Sequence, residues 1–423
     1  MDERVILHSD FNNFYANIEC LYQPSLRIKP MAVTGSAEAR HGIVLSKNDI
    51  AKKAGVKTGM AIWQARQLCP DICLVTAQHD LYIHYSMLAR DIYLNYFTPQ
   101  VEPFGLDECW LDVTGSRLGS GKEIADKIRE AMKFELGLTV SVGVSFNKVF
   151  AKLGSDIKKP DATTVISKDD YRDILWGAPV SDLLNAGPAT TRKLKSYWIR
   201  TIGDLAKAEP EFIYALLGKN GIMLWQFANG RDNSSVCDYQ NSVPVIKTIG
   251  NSTTTPHDLL TEDDIRITLY SLSESVSSRL RDQNCLCSTV QVSIRDNELH
   301  WFDRRQKLPA PACTTQDIFD TAFSLVLNNR PDKPIRSLAI RACGLCARGE
   351  SLQLSLFPED LKTIKRLDLD CTIDKIRDRF GYHSIKRGVA YLDPSLSLDA
   401  KSDNIQGGFL VENRGMLRVQ TAS

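Results

Sequence analysis

Three acids in this chain stand where a cation could be held. Asp10 closes the short run that begins Val5-Ile6-Leu7-His8, and the pair Asp107-Glu108 opens the run Cys109 to Val113. Runs of this length and composition read as strands. If the two strands are neighbours in one sheet, their acids converge at its edge. Carboxylate oxygens suit a hard cation such as Mg²⁺, whose remaining positions are commonly filled by substrate phosphates. Two such ions about 4 Å apart activate a hydroxyl nucleophile and stabilise a departing phosphate. The backbone carbonyl of Phe11 offers one more oxygen. Three acids are also what an ordinary solvated surface presents, so their spacing alone leaves a structural role open.

Basic residues form a second group. Lys148, Lys152, Lys158 and Lys159 lie between Asn147 and Pro160 against one acid, Asp156, and Arg192, Lys193, Lys195 and Arg200 follow in the next segment. Local clusters of this kind supply phosphate affinity, and they equally describe a solvated helix face. The formal net charge of +1 does not by itself announce a nucleic-acid partner.

The elements that would position these groups alternate. Helical patterns at Ala16 to Tyr22, Asp49 to Ala54, Ala61 to Leu68, Tyr82 to Phe97 and Lys122 to Glu135 interleave with strands at Ala32 to Thr34, Gly42 to Leu45, Cys109 to Val113 and Thr139 to Val144. That order implies an α/β layer. From about Tyr171 to Asp232 the strand signal disappears. There Asn185-Ala186-Gly187-Pro188, Thr190 to Tyr197 and Ile202 to Leu205 resemble a helix-hairpin-helix unit, with Asn185 where the first Gly is usual. Asn tolerates φ > 0 better than most residues, so the turn can survive. Asn233 to Pro244 is polar and reads as a linker. Beyond it, strand blocks at Ser288 to Arg295 and Arg336 to Gly344 alternate with helices near Glu262 to Asp282 and Gln316 to Asn328, a separate small α+β domain. The tail is polar, with a helix expected near Asp374 to Phe380 and a disordered end.

Length and composition bound the rest. A chain of 423 residues can bury several cores, so two to four domains are expected. Hydrophobic content of 43% and charged content of 24% describe an ordinary globular protein. Charges interrupt every apolar run, which leaves no membrane span, and the start Met1-Asp2-Glu3-Arg4 lacks a signal pattern. Eleven scattered cysteines fit reduced thiols and a cytoplasmic location. The single CxxC, Cys343 to Cys346, has no second pair at zinc spacing and is read as structural.

Three blocks now fall in order: His8-Ser9-Asp10-Phe11-Asn12-Asn13-Phe14-Tyr15-Ala16, Gly105-Leu106-Asp107-Glu108-Cys109-Trp110-Leu111-Asp112, and Ser141-Val142-Gly143-Val144-Ser145-Phe146-Asn147-Lys148-Val149-Phe150-Ala151-Lys152. Together with Asp156-Ile157-Lys158-Lys159-Pro160 and Lys247-Thr248-Ile249-Gly250, they resemble the Y-family translesion DNA polymerases over roughly residues 4 to 357. The resemblance implies an α+β multidomain right hand. Its palm would span 1–20 and 79–168, small fingers 21–78, and a helical thumb with the helix-hairpin-helix 169–233. A linker at 234–246, a C-terminal little-finger domain at 247–348 and a tail at 349–423 would follow. It further implies template-directed, low-fidelity addition of dNTPs to primer-template DNA, with two Mg²⁺ per active site and Mn²⁺ able to substitute.

Carried over by position, Asp10, Asp107 and Glu108 match the family's catalytic metal-binding carboxylates, with the Phe11 carbonyl beside them. Tyr15 matches the steric gate that rejects a ribose 2′-hydroxyl, and Phe14 is left as a core residue. Lys159 matches a lysine on the incoming triphosphate, whereas Lys148 and Lys152 read as supporting or DNA-facing. The fingers depart from the family pattern. Asp49 stands where a triphosphate-contacting Tyr is usual and Lys52 where Arg is usual, which implies weaker nucleotide binding or an Asp49 turned away. Asn12 stands where a second Asp is frequent, in a position that looks non-essential for ligation. Ile43 and Leu45 are bulky in the roof over the nascent pair.

Gln353-Leu354-Ser355-Leu356-Phe357 resembles the peptide by which bacterial polymerases bind the sliding clamp, with Leu354, Leu356 and Phe357 as apolar anchors. This peptide fits a DNA polymerase IV-like branch, while Asp49 and Lys52 lean towards UmuC-like relatives and leave activating repair proteins as further partners. Nucleoid association follows from the DNA partner. The rival reading is a non-catalytic repair adaptor that keeps the fold and binds the clamp. Another is a plain DNA-binding module whose carboxylates are structural, which predicts DNA binding indifferent to Mg²⁺ and nucleotide.

Overall fold

The computed structural model describes residues 4–35, 42–238, 246–349 and 359–397. They belong to two compact units, one built from residues 1–34 and 43–242, the other from residue 243 onward together with 35–42.

In the first unit, β1 (Ile6–Phe11) leads into α1 (Phe14–Tyr22). A small layer follows: β2 (Met31–Thr34), β3 (Val44–Lys47), α2 (Asp49–Lys53), α3 (Ile62–Leu68) and β4 (Cys73–Thr76), with strand order β3-β2-β4. Asn48 fixes its geometry. The side-chain oxygen accepts from Ala51 N–H, capping α2, and from Met31 N–H, tying that helix to the strand beside it. Ala32, Val44, Ala51, Val56 and Ala65 close a core of their own.

The chain then returns through α4 (His79–Tyr96), β5 (Val101–Phe104), β6 (Glu108–Asp112), α5 (Gly121–Leu136), β7 (Val140–Ser145), α6 (Lys148–Ile157) and β8 (Thr163–Ile166). These complete a five-stranded sheet of order β5-β6-β1-β7-β8. Central β1 is buried on both faces and antiparallel to both neighbours. Leu7 and Phe11 face a core shared with α1, α4 and α5, in which Ile18, Tyr93, Ile124 and Ile128 are fully or nearly fully buried. The start of α5 is set by a capping box between Ser120 and Glu123, and its end by Gly137 at φ 68°. On the opposite face α6 lies directly on β7. A Cβ at Gly143 would come within 1.9 Å of the Ala151 carbonyl oxygen, so only glycine admits the helix this close.

Residues 171–228 are helical, as expected: α7 (Tyr171–Leu175), α8 (Pro188–Ser196), α9 (Ile202–Lys207), α10 (Pro210–Leu217) and α11 (Lys219–Ala228). Asn185 takes φ 70°, so it does stand in for the glycine of the hairpin.

The second unit is a four-stranded antiparallel sheet of order β11-β10-β12-β9 covered on one face by helices. Its elements are β9 (Thr248–Leu259), α12 (Glu262–Asp282), β10 (Cys285–Asp296), β11 (Trp301–Ala312), α13 (Thr315–Asn328) and β12 (Ile335–Ala347). Sequence reading found β10 and β12 and missed β9 and β11. Those two are the edges, and β11 carries Asp303, Arg304, Arg305 and Lys307 where an interior strand would be apolar. A second correction concerns the tail. The helix expected near Asp374 to Phe380 is α14 (Glu359–Phe380), 22 residues long, and the chain stays packed on this unit as far as Leu396, which is 1% exposed. The inner side of α14 sends Leu367 to the apolar core and is otherwise largely ionic. Arg281 bonds Asp370 and Asp374, and Glu274 receives Arg377 and Arg387, so hydrophobic periodicity could not reveal it. All described cysteines are free thiols, Cys343 and Cys346 among them.

Candidate active site

The register of β1 brings the predicted acids together. Asp10 pairs directly with Glu108 on one side and with Ser141 on the other. Phe11 N–H donates to the Asp107 carbonyl at 3.0 Å, which holds Asp107 beside the end of β1. Residues opposite one another in a ladder share a face. His8, Trp110 and Gly143 therefore lie on the same face as Asp10 and Glu108, one step further in. Helix α6 covers that inner step and leaves the acids at the open end.

Helix α6 also delivers cations. Lys152 is ion-paired with Glu108, and Lys159, just beyond the helix, places Nζ 2.8 Å from Asp10 Oδ2 and 2.9 Å from Asp156. The sequence reading kept Lys152 away from the chemistry; the glycine contact between α6 and β7 is what carries it onto the carboxylate. Lys148 does stay in a supporting place, paired with Glu102 at 2.6 Å and lying 4.6 Å over the Trp110 ring. His8 was not foreseen. It is fully buried, 3.1 Å from Glu108 through Nε2 and 2.9 Å from Ser155 Oγ through Nδ1. Its signal in the sequence is position alone, two residues before Asp10 and so on the same strand face.

Burial dominates the electrostatics. It lifts the Asp10 carboxyl from its ordinary value to about 7, opposed by Lys159 and reinforced by Glu108 and Asp107. Burial and the Glu108 charge lift Asp107 to about 6. For Glu108 burial also pushes upward, but the His8 hydrogen bond and Lys152 outweigh it and hold the group at about 2, while burial lowers His8 itself and so favours its neutral form. Two acids that burial holds above their ordinary range, beside a third already compensated, make a site that gains from added cations. The donors are carboxylate oxygens and the Phe11 carbonyl, the set a hard divalent ion prefers. Among the described residues no three such side chains yet stand at ligand spacing, because Glu108 is turned to Lys152 and His8 and Asp10 to Lys159.

Tyr15 lies beside the acids. Burial, then the Asp107 charge, raises its phenol to about 12. Phe14 is 3% exposed and belongs to the core, as expected. In the small layer, Asp49 accepts a hydrogen bond from Asn13 Nδ2 at 2.9 Å and so points at the start of α1. Lys47 was not singled out by sequence. Its amine is lowered by burial and by nearby Lys52, which puts two lysines of this layer in one neighbourhood. Ile43 is 40% exposed and bridges Ala61, and Leu45 is half-buried. Asn12 proves to be a structural joint: Nδ2 donates to Ser141 Oγ, and Oδ1 accepts from Asp161 N–H, both at 2.9 Å. The segment Gln353 to Phe357 lies outside the described residues.

A sheet with paired acids at the open end of its central strand, followed in the chain by a four-stranded α+β domain, is the arrangement of polymerase-type proteins with an appended domain. The comparisons agree. Residues 9–156 match the impB/mucB/samB family and residues 246–356 its C-terminal domain. The chain is 50% identical over 398 residues to the DNA polymerase IV of Acetivibrio thermocellus, covering 93% of this chain and 99% of that protein. It is 36% identical to the DNA polymerase IV of Clostridium acetobutylicum, over 91% of this chain and 98% of that one. Among solved structures, a chimeric Y-family DNA polymerase superposes with a TM-score of 0.71 at 23% identity, covering 81% of this chain and 99% of its own. The chain belongs to the Y family of DNA polymerases.

Proposed function

We propose that this chain adds deoxynucleotides to a primer on damaged or undamaged template DNA, with Asp10, Asp107 and Glu108 as its metal-binding carboxylates. The observation that carries the reading is the direct pairing of Asp10 with Glu108 at the open end of β1, in a chain half identical to a DNA polymerase IV over nearly its whole length. The non-catalytic adaptor finds no support in these relatives.

Asp10, Asp107, Glu108 and the Phe11 carbonyl would hold two Mg²⁺ ions, or Mn²⁺ in their place. Such ions, when bound, lower the pKa of the primer 3′-hydroxyl and offset the charge leaving with pyrophosphate. The protein's own residues do the positioning. Lys159 releases Asp10 and meets the triphosphate, where a compact cation suits growing negative charge. Lys52, with Lys47 near it, meets the same phosphates from the small layer. Tyr15 closes the space a ribose 2′-hydroxyl would need. Palm, fingers and thumb correspond to residues 1–20 with 79–168, 21–78 and 169–233, and the little finger to 247–348.

The uncovered face of the second unit's sheet suits a nucleic-acid backbone. In register across three strands, Arg305, Gln291 and Arg341 form one row and Lys307, Thr289 and Cys343 the next. Side chains of this kind favour phosphate. Gln353 to Phe357 is assigned to the sliding clamp, with Leu354, Leu356 and Phe357 as its apolar anchors. The relatives named DNA polymerase IV favour that branch over one needing activating repair proteins. Among the described residues no helix is long and apolar enough to cross a membrane, in keeping with work on DNA in the cytoplasm.

Primer extension by the purified chain with dNTPs and Mg²⁺ tests the whole reading. Wild type extends, and Asp107→Ala with Glu108→Ala falls by about a thousandfold or more as the cation site is lost. Primer-template binding with no extension under any divalent ion, clamp included, would overturn it.

A further inference from the structure

Sugar discrimination by a steric gate depends on how firmly the gate is held, since a ring free to yield by an ångström would admit the extra hydroxyl. Tyr15 is half-buried on α1, where the ring of Phe14 lies tilted against it with centroids 5.7 Å apart. What backs it is Tyr82 of α4. The two rings are stacked, centroids 4.2 Å apart and planes at 11°. Tyr82 is fully buried, and its hydroxyl donates to Glu19 Oε1 at 2.5 Å. Glu19 is itself 1% exposed, and both its oxygens also accept from Gln78 Nε2, at 3.2 and 3.1 Å. Since Glu19 lies one turn after Tyr15 on α1, the contacts close into a loop: Tyr15 rests on Tyr82, Tyr82 is anchored by Glu19, and Glu19 returns to the helix that carries Tyr15.

We propose that Glu19 and Tyr82 are positioning residues for sugar selection, holding the Tyr15 ring against displacement by a ribose 2′-hydroxyl. This rests on the gate reading of Tyr15. A buried carboxylate is a costly anchor for a merely structural contact, because it must be satisfied by hydrogen bonds at every oxygen. Among the described residues every hydrogen bond to it comes from Tyr82 or Gln78, at the end of α4 nearest the gate. The stack works through shape, the fully buried Tyr82 ring lying flat behind the half-buried gate ring. Neither residue touches the reacting atoms.

The experiment is single-nucleotide insertion with matched dNTP and rNTP, reading the ratio of their kcat/KM values. Tyr82→Leu removes ring and hydroxyl and is expected to cut discrimination by about tenfold; Tyr82→Phe, which keeps the ring and loses the anchor, by about threefold. Glu19→Leu should behave like Tyr82→Phe, and Glu19→Gln, which still accepts from the hydroxyl, should restore the ratio to within about twofold. Insertion of dNTP changes little in each. If Tyr82→Leu does not fold, Tyr82→Phe and the two Glu19 variants carry the test. Tyr15→Ala separates the two levels. A raised ribonucleotide rate there, with unchanged ratios in the Tyr82 and Glu19 variants, overturns the positioning role alone. No change in Tyr15→Ala overturns the gate and the positioning role together. Equal loss with both sugars would make the contacts structural and likewise overturn the proposal.

Discussion

Asn13 Nδ2 donates to Asp49 Oδ1 across 2.9 Å, joining the residue before α1 to the first residue of α2. Asp49 is therefore held towards the start of α1, where Tyr15 lies two residues beyond Asn13.

That placement gives a first prediction. Asp49→Asn keeps an oxygen for Asn13 and removes a negative charge from the path of the triphosphate. One exposed charge at several ångströms amounts to about 0.5–1 kcal/mol, so KM for dNTP should fall about threefold with kcat unchanged. Steady-state insertion kinetics check this. A raised KM would mean that Asp49 helps bind the nucleotide.

The raised carboxyls predict how the metal-free protein responds to pH. Asp10 at about 7 and Asp107 at about 6 bind protons more tightly folded than unfolded. Their contribution to stability is full below the ordinary Asp range and is lost as pH rises through those values. Glu108 runs the other way, its contribution being lost only as pH falls from the ordinary Glu range towards about 2. With EDTA, the melting temperature of the first unit should thus decline between about pH 5 and pH 8, and added Mn²⁺ should restore more at the upper end. Thermal scans at both pH values decide it. Equal restoration at both would show that these acids do not bind the ion, and Asp10→Asn should flatten the dependence.

Much of the site was legible because it follows strand arithmetic. Asp10 at the end of one apolar run and Asp107-Glu108 at the start of another required only that β1 and β6 be neighbours, and they are. What stayed hidden depends on tertiary approach. The Lys152–Glu108 pair needs α6 pressed onto β7, and the Glu19–Tyr82 bond joins two helices 63 residues apart in sequence. The edge strands β9 and β11 and most of α14 were missed for one shared reason. Each gives the core few apolar side chains, among them Ile249 and Leu259, Leu308 and Leu367, and is otherwise held by backbone ladders or ion pairs, which hydrophobic periodicity does not report.

The contact between α6 and β7 is the least tolerant point of the first unit. In Gly143→Ala the new methyl would meet Ala151 O at 1.9 Å and Ser155 N at 2.5 Å, both backbone atoms that cannot rotate aside. Helix α6 would have to lift, taking Lys152 and Lys159 with it. Overpacking of this severity should cost about 3 kcal/mol, seen as a lower urea midpoint, with extension lost even where the fold survives. Wild-type stability and activity in Gly143→Ala would contradict the approach described here.

The ionic underside of α14 gives the last prediction. Arg377 donates to Glu274 at 2.9 Å with both side chains under a tenth exposed, and Arg387 reaches the same carboxylate at 2.8 Å. Removing Arg377 leaves the buried Glu274 with Arg387 alone, whereas removing Arg377 and Glu274 together leaves only Arg387, a quarter exposed and still 3.4 Å from Asp370. Arg377→Ala should therefore destabilise the second unit by about 3 kcal/mol, while Arg377→Met combined with Glu274→Leu should cost less than either change alone. Arg379→Ala, at an exposed position of the same helix, is the control and should be silent. Urea unfolding of the full chain, followed by a probe in the second unit, reads all five. If the double variant is as damaged as the single ones added together, α14 is held by packing and not by the pair. If Arg377→Ala is silent, α14 is not a fixed part of the domain.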